Sequence, residues 1–140
     1  VGKEFMAGFF RKCSELLKDG GTMVLQSIIL PDDRYEAYCR QRDWIQKHIF
    51  PGGHLPCVRV LRETADLHTD FTVQAVDHIG PHYAATLRHW RHRFCSNRTA
   101  LESLGVDETF FRKWTYYLSI CEAGFAGRAL EDVHLVLTRP

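Results

Sequence analysis

Residues 22–30 read TMVLQSIIL, and this run decides the fold. Met, Val, Leu and Ile follow one another almost without relief, and one polar pair, Gln26-Ser27, interrupts them near the C-terminal end. Such a run predicts a strand buried on both faces by flanking helices. Upstream, Phe5, Phe9, Cys13, Leu16 and Leu17 recur at helical spacing, Met6 and Phe10 widen the stripe, and Asp19-Gly20-Gly21 supplies a stop. Downstream, Pro31-Asp32-Asp33 opens a second helix that extends to about His48, where the turn Phe50-Pro51-Gly52-Gly53 breaks it. A shorter helix follows from Pro56 to about Asp66, and FTVQAVDHI (71–79) alternates as a second strand. From Pro81 the stripe Tyr83, Leu87, Trp90, Phe94 predicts a long helix with its Arg and His residues off that line. Asp107 caps another helix, with Phe110, Trp114, Tyr117, Leu118, Cys121 and Phe125 inward, and DVHLVLT (132–138) is a third strand.

Helix, strand, helices, strand, helices, strand is an α/β order. Three strands are a thin sheet for so much helix, which fits half of a doubly wound, Rossmann-like domain better than a whole one. Neither an internal repeat nor a low-complexity linker divides the 140 residues. The chain begins at Val1 inside what reads as the lead-in to a helix, so a longer parent is expected.

Composition narrows the function. Eighteen Lys and Arg stand against seventeen Asp and Glu, a balance that excludes a general nucleic-acid binder. The five cysteines are odd in number, widely spaced and never paired as C-x-x-C, against both a disulfide framework and a structural zinc site. A reducing cytoplasm is the expected location. No apolar run approaches the length that crosses a bilayer, so the protein is expected to be soluble or to touch membranes only at their surface.

Enzyme motifs legible one by one are few: no G-x-S-x-G, H-E-x-x-H, phosphate loop or G-x-G-x-x-G occurs. His78-x3-His82 and His89-x2-His92 have spacings a metal could use on a helix, but no Cys or carboxylate cluster stands beside them. They read as exposed helix histidines, and no metal is expected. More unusual is HIFPGGHLPC (48–57), a Pro-Gly-Gly turn flanked by Ile49, Phe50 and Leu55 in place of the polar residues water favours.

In order, VLQSII, HIFPGGHLPC, HIGPHYAATLRHW, WTYYLSICEAGF and VHLVLTRP resemble the C-terminal half of the cyclopropane-fatty-acyl-phospholipid synthases and their mycolic-acid-modifying relatives. The likeness covers essentially the whole chain. It implies a fold, the C-terminal half of a class I methyltransferase domain of three strands with a helical insertion before the last. It also implies a reaction: a methyl group passes from S-adenosylmethionine to the double bond of an unsaturated acyl chain, leaving a carbocation that loses a proton to close a three-membered ring. Aromatic faces stabilise such a cation by about 1–2 kcal/mol each when water is excluded.

By the resemblance, Phe50 lines the acyl channel, and a hydrophobic anchor for a surface loop is the plainer alternative. Tyr83, in GPHY, matches the tyrosine that helps hold a bicarbonate ion serving as the base, and Ile28 the residue whose backbone does so. Gln26 stands where the best-known bacterial members carry a histidine ligand to that ion. A glutamine amide donates a hydrogen bond to an oxyanion but does not titrate, so the base is held differently or the reaction stops at methylation. Leu87, Tyr117, Cys121 and Phe125 fall on acyl-facing positions, where ordinary helix packing would need the same stripe. Arg88, Arg91, Arg93 and Arg98 either meet lipid phosphates or form a solvated face.

The glycine-rich turn and acidic residue that hold S-adenosylmethionine in such domains would precede Val1, so these residues are expected to contain no cofactor-binding residue and to act only with the missing N-terminal half. The expected partners are unsaturated phospholipid acyl chains at a membrane surface, with the protein cytoplasmic and peripheral. An apolar first strand that lacks a neighbour also predicts self-association. Two other functions fit the same residues: a small-molecule N-methyltransferase of the alkaloid type, and a non-catalytic acyl-lipid-binding module.

Overall fold

The computed structural model describes residues 2–140, so Val1 lies outside it. Its elements are a short 3-10 turn at Lys3–Phe5, α1 (Met6–Leu16), β1 (Thr22–Ile29), α2 (Asp32–Cys39), α3 (Trp44–His48), α4 (Val58–His68), β2 (Thr72–His78), α5 (Gly80–Ser96), α6 (Arg98–Ser103), α7 (Glu108–Ala126) and β3 (Glu131–Thr138). They divide into two compact units. One holds the residues up to Ile79 together with Glu131–Pro140, and the other is Gly80–Leu130, the helical insertion before the last strand.

In the first unit the strand order is β1-β3-β2, with β3 antiparallel to both neighbours. Alternation sends Val133, Leu135 and Leu137 of β3 to one face, where all three are fully buried. Met6 and Phe10 from α1, Leu61 and Ala65 from α4, Ile29 and Phe71 complete this core. Each large apolar side chain buried there contributes about 1.5–3 kcal/mol.

Three sequence expectations change here. The apolar arc of α1 centres on Met6 and Phe10, while Phe5 (64% exposed) and Leu16 (77%) point to water. Phe5 is the N-cap and precedes the helix proper, while Phe9, Cys13 and Leu17 pack against the core as the sequence predicts. β1 is not buried on both faces. It alternates, with Met23, Leu25 and Ile29 against the core and Val24 60% exposed. The helix read from Pro31 to His48 is two helices. Asp43 leaves the helical path to cap α3, accepting a hydrogen bond from Gln46 N at 2.7 Å while its own N–H donates to Gln46 Oε1 at 3.0 Å. A short side chain that can satisfy the free N–H groups of a new first turn competes with continuing the old one.

After α3 the chain reverses through Phe50-Pro51-Gly52-Gly53, closed by a 2.9 Å bond from Gly53 N to Phe50 O. Gly52 adopts φ +79°, the left-handed value that position i+2 of a type II turn requires, and Pro51 pre-sets the position before it. At Gly53 a Cβ would lie 3.0 Å from the Phe50 carbonyl oxygen. The two glycines thus do different work in one turn.

In the second unit α5 and α7 pack antiparallel, with Phe94 stacked on Phe111 (5.0 Å between ring centres) and Tyr83 edge-on to Phe125. Asp107 caps α7 as the sequence predicts, accepting from Phe110 N at 2.7 Å. The intervening α6 was not anticipated. Ala84, Leu87, Leu118, Cys121 and Phe125 are buried, whereas Trp90 (48% exposed) and Phe110 (44%), both read as inward, lie at the edge of the pair. All five cysteines are free thiols. Among the described residues no group of three or more His, Cys, Asp or Glu could hold a metal, and no helix is long and apolar enough to cross a membrane.

Candidate functional site

The candidate residues fall in both units. In the first, Gln26 and Ile28 lie two apart on β1 and therefore share a face. Gln26 pairs with His134 across the sheet and Ile28 with Asp132. The Gln26 amide reaches diagonally along β3 and donates from Nε2 to Asp132 Oδ2 at 2.7 Å. Asp132 is fully buried, the one buried polar or charged residue among those described, and its Oδ1 has no hydrogen-bond partner. A buried carboxylate with an orphaned oxygen is costly, by about 1–3 kcal/mol or more for the missing partner. Sequence reading missed Asp132. The available signal was an acid opening an otherwise apolar strand.

Phe50 is 51% exposed at the start of its turn, an apolar ring held out on a rigid backbone. The turn is fixed from behind by Gln46, whose Nε2 donates to Gly53 O and to Tyr38 Oη, both at 2.9 Å.

In the helical unit, α5 and α7 bring Tyr83, Leu87, Tyr117, Cys121 and Phe125 together. Leu87, Cys121 and Phe125 are buried between the helices, so packing accounts for them first. Tyr83 and Tyr117 are only partly buried. The Tyr83 ring lies 4.8 Å from Phe125 and 6.1 Å from Trp90, both edge-on. Trp114 is tilted against Tyr117 at 5.3 Å and stacked on Phe110 at 5.4 Å. The result is an aromatic wall along one edge of the helix pair, and it includes Trp90 and Trp114, which the sequence reading left to the core. Burial, with Cys121 and Tyr83 beside it, pushes the Tyr117 hydroxyl up to about 12. It stays a neutral phenol at physiological pH. Such a wall offers π faces and no fixed charge.

The arginines expected to face lipid are mostly engaged. Arg88 Nε donates to Glu122 Oε1 at 2.9 Å, and Arg91 donates to Glu122 Oε2 through Nε at 3.1 Å and Nη2 at 3.0 Å. Arg98 bonds Glu102 and Glu108, with its guanidinium 4.8 Å from the Phe111 ring centre. Only Arg93 of the four enters no ion pair among the described residues. The solvated and paired face is therefore the better description.

The family model for mycolic acid cyclopropane synthetase matches residues 1–135. The chain is 38% identical over 139 residues to tuberculostearic acid methyltransferase UfaA1 of Mycobacterium tuberculosis, covering 99% of this chain and 33% of that protein. It is 33% identical over 139 residues to the cyclopropane-fatty-acyl-phospholipid synthase of Escherichia coli strain K12, covering 99% of this chain and 35% of that one. Among solved structures, mycolic acid cyclopropane synthase CmaA1 complexed with SAH and CTAB matches with a TM-score of 0.88 at 27% identity, over 99% of this chain and 51% of that chain. The chain thus spans about a third of the length of these curated relatives and about half of that structure.

Proposed function

The chain belongs to the mycolic acid cyclopropane synthetase family, and from that premise we propose that it is the C-terminal part of an S-adenosylmethionine-dependent methyltransferase domain acting on the double bond of unsaturated phospholipid acyl chains. The observation that carries this reading is the family match over residues 1–135, joined to an aromatic wall of the kind a hydrocarbon cation needs. The cofactor supplies the methyl group. Among the described residues no strand is followed by a glycine-rich turn, so the cofactor site is assigned to the N-terminal half of the domain.

Phe50, Tyr117, Leu87, Cys121 and Phe125 are assigned to the acyl chain, with Phe50 in one unit and Tyr117 in the other as surface contacts and Leu87, Cys121 and Phe125 as the packing behind Tyr117. Trp90 and Trp114 join them as aromatic faces. Tyr83 and the backbone of Ile28 are each assigned to holding the base that accepts the proton, as the family resemblance implies. The Gln26 amide gives one hydrogen to Asp132 and keeps the other for an oxyanion, while a bicarbonate held there would lie near a buried carboxylate, which weakens its binding. The work is assigned to the cytoplasmic face of a membrane, where the acyl substrate resides, with the protein peripheral to it.

The test uses lipids from cells expressing the full-length protein. Acyl chains heavier by one CH2 are the expected result, and proton NMR then distinguishes a ring from a methylene branch. Unmodified lipids alongside a methylated small amine would overturn the reading in favour of an N-methyltransferase. Tyr83→Phe is expected to lower turnover about a hundredfold, the scale of a lost proton-transfer group. Turnover within a factor of two of the wild type would remove Tyr83 from the site.

A further inference from the structure

Three of the four arginines that could have met lipid phosphate are tied to glutamates, yet a phospholipid substrate brings a phosphate diester with it. The first unit contains a pocket of about 300 Å³ bordered by Lys3, Glu4, Tyr38, Arg42, Gln46 and His54, with Gly52 and Gly53 of the Phe50 turn on its rim.

Hydrogen-bond accounting shows what this pocket lacks. The Gln46 donors are saturated: both amide hydrogens are given, to Tyr38 Oη and Gly53 O, while Oε1 accepts from Asp43 N. Tyr38 Oη accepts twice, from Gln46 Nε2 at 2.9 Å and Leu55 N at 3.1 Å. Its own proton therefore remains to be donated. Burial holds the Tyr38 hydroxyl above its ordinary range, so it remains a donor at neutral pH. His54 is pinned through Nε2 to the Tyr35 hydroxyl at 3.0 Å and tilted against the Tyr38 ring. Lys3, 5.8 Å from the Tyr35 ring centre, and Arg42 form no ion pair among the described residues. Against these donors stand one lining carboxylate, Glu4, and the nearby Asp43, whose charge also bears on Tyr38.

A site with two cations outside any ion pair, a spare phenol proton and one acid in its lining has room for an oxyanion with several acceptor oxygens. We propose that this pocket receives the phosphate of the phospholipid whose acyl chain meets Phe50. The proposal rests on the phospholipid reading above and names where that substrate is held. Rigidity links the two ends, since Gln46 clamps both Tyr38 and the turn that carries Phe50. Glu4 sets a limit on affinity, being a like charge at the rim.

The probes are a short-chain, water-soluble phosphatidylglycerol and inorganic phosphate, titrated calorimetrically into the full-length protein, so that binding is read without turnover. Replacing both Lys3 and Arg42 by glutamine should weaken phosphatidylglycerol about tenfold or more, the worth of one to two charge-assisted hydrogen bonds. Glu4→Gln should tighten it, a gain that misfolding cannot produce. Inorganic phosphate should bind at least about tenfold more weakly than the lipid. Unchanged affinity in the double variant, or no gain with Glu4→Gln, would sink the pocket. Equal affinity for inorganic phosphate would reassign it to the free anion. Should the variants behave as expected while no acyl chain gains a CH2, the headgroup site stands and the reaction assigned above fails.

Discussion

Gln26 carries more of the molecule than its position on a half-exposed strand implies. Among the described residues it is the one hydrogen-bond partner of the buried Asp132 side chain, and the contact is a charge-assisted one at 2.7 Å. Removing one member of such a pair strands the other. Gln26→Leu is expected to destabilise the protein by about 3 kcal/mol, because the carboxylate keeps its desolvation cost and loses its donor. Replacing both, with Gln26→Leu and Asp132→Leu together, should recover most of that loss, since two apolar groups of similar size leave nothing unsatisfied. Urea denaturation of the wild type, both single variants and the double variant gives the coupling directly. Additive single effects would mean that Asp132 finds its compensation elsewhere. The same pair explains why sequence alone reached only part of this site. Gln26 was legible as a departure from a histidine, but its partner lies 106 residues away and is set by strand register, which spacing along the chain does not reveal.

Among the elements, α5 and α7 are joined by an apolar seam and by one charged fork, Glu122 held between Arg88 and Arg91. The Arg88 hydrogen bond first, then Arg91, keeps the Glu122 carboxyl below its ordinary value of 4.5. For a carboxylate depressed in the folded state, the stabilisation is complete above that ordinary value. It is lost as pH falls through the lower folded value. The stability difference between wild type and Glu122→Gln should therefore be constant from neutral pH down to about 5 and shrink below 4.5, a window set by ordinary carboxylate titration. A difference that persists undiminished at the acid end would assign the effect of Glu122 to packing. These helices were the most legible elements, since Tyr83-Leu87-Phe94 and Leu118-Cys121-Phe125 repeat at the helical period. The edges were not: Trp90 and Phe110 satisfy the same period, and periodicity does not say how wide an arc the neighbour covers. Asp43, by contrast, is a case of local chemistry overriding period. A capping box with Gln46 splits a helix that the apolar spacing had continued.

At the scale of the whole chain, strand count and the α/β class followed from element order and the helical insertion from the family resemblance, while the pairing did not follow from element order. β3, last in sequence, sits between β1 and β2 and runs against both, a placement that depends on crossover geometry and not on any residue of β3 itself. It has a consequence for behaviour in solution. β1 bonds to β3 along one edge and, among the described residues, to no strand along the other, where Val24 is 60% exposed. Open backbone donors and acceptors beside an apolar surface are a template for a second strand. A formal net charge of +1 gives little repulsion to oppose it. The 140-residue polypeptide is accordingly expected to self-associate through β1, giving dimers or larger species by light scattering at micromolar concentration. Val24→Lys places a charge on that strand without touching the core, which lies on the opposite face, and should shift the distribution toward monomer, as edge lysines do in natural sheets. A wild-type polypeptide that scatters as a clean monomer would show that the edge is already protected, and a variant that associates as readily as the wild type would move the contact to another surface.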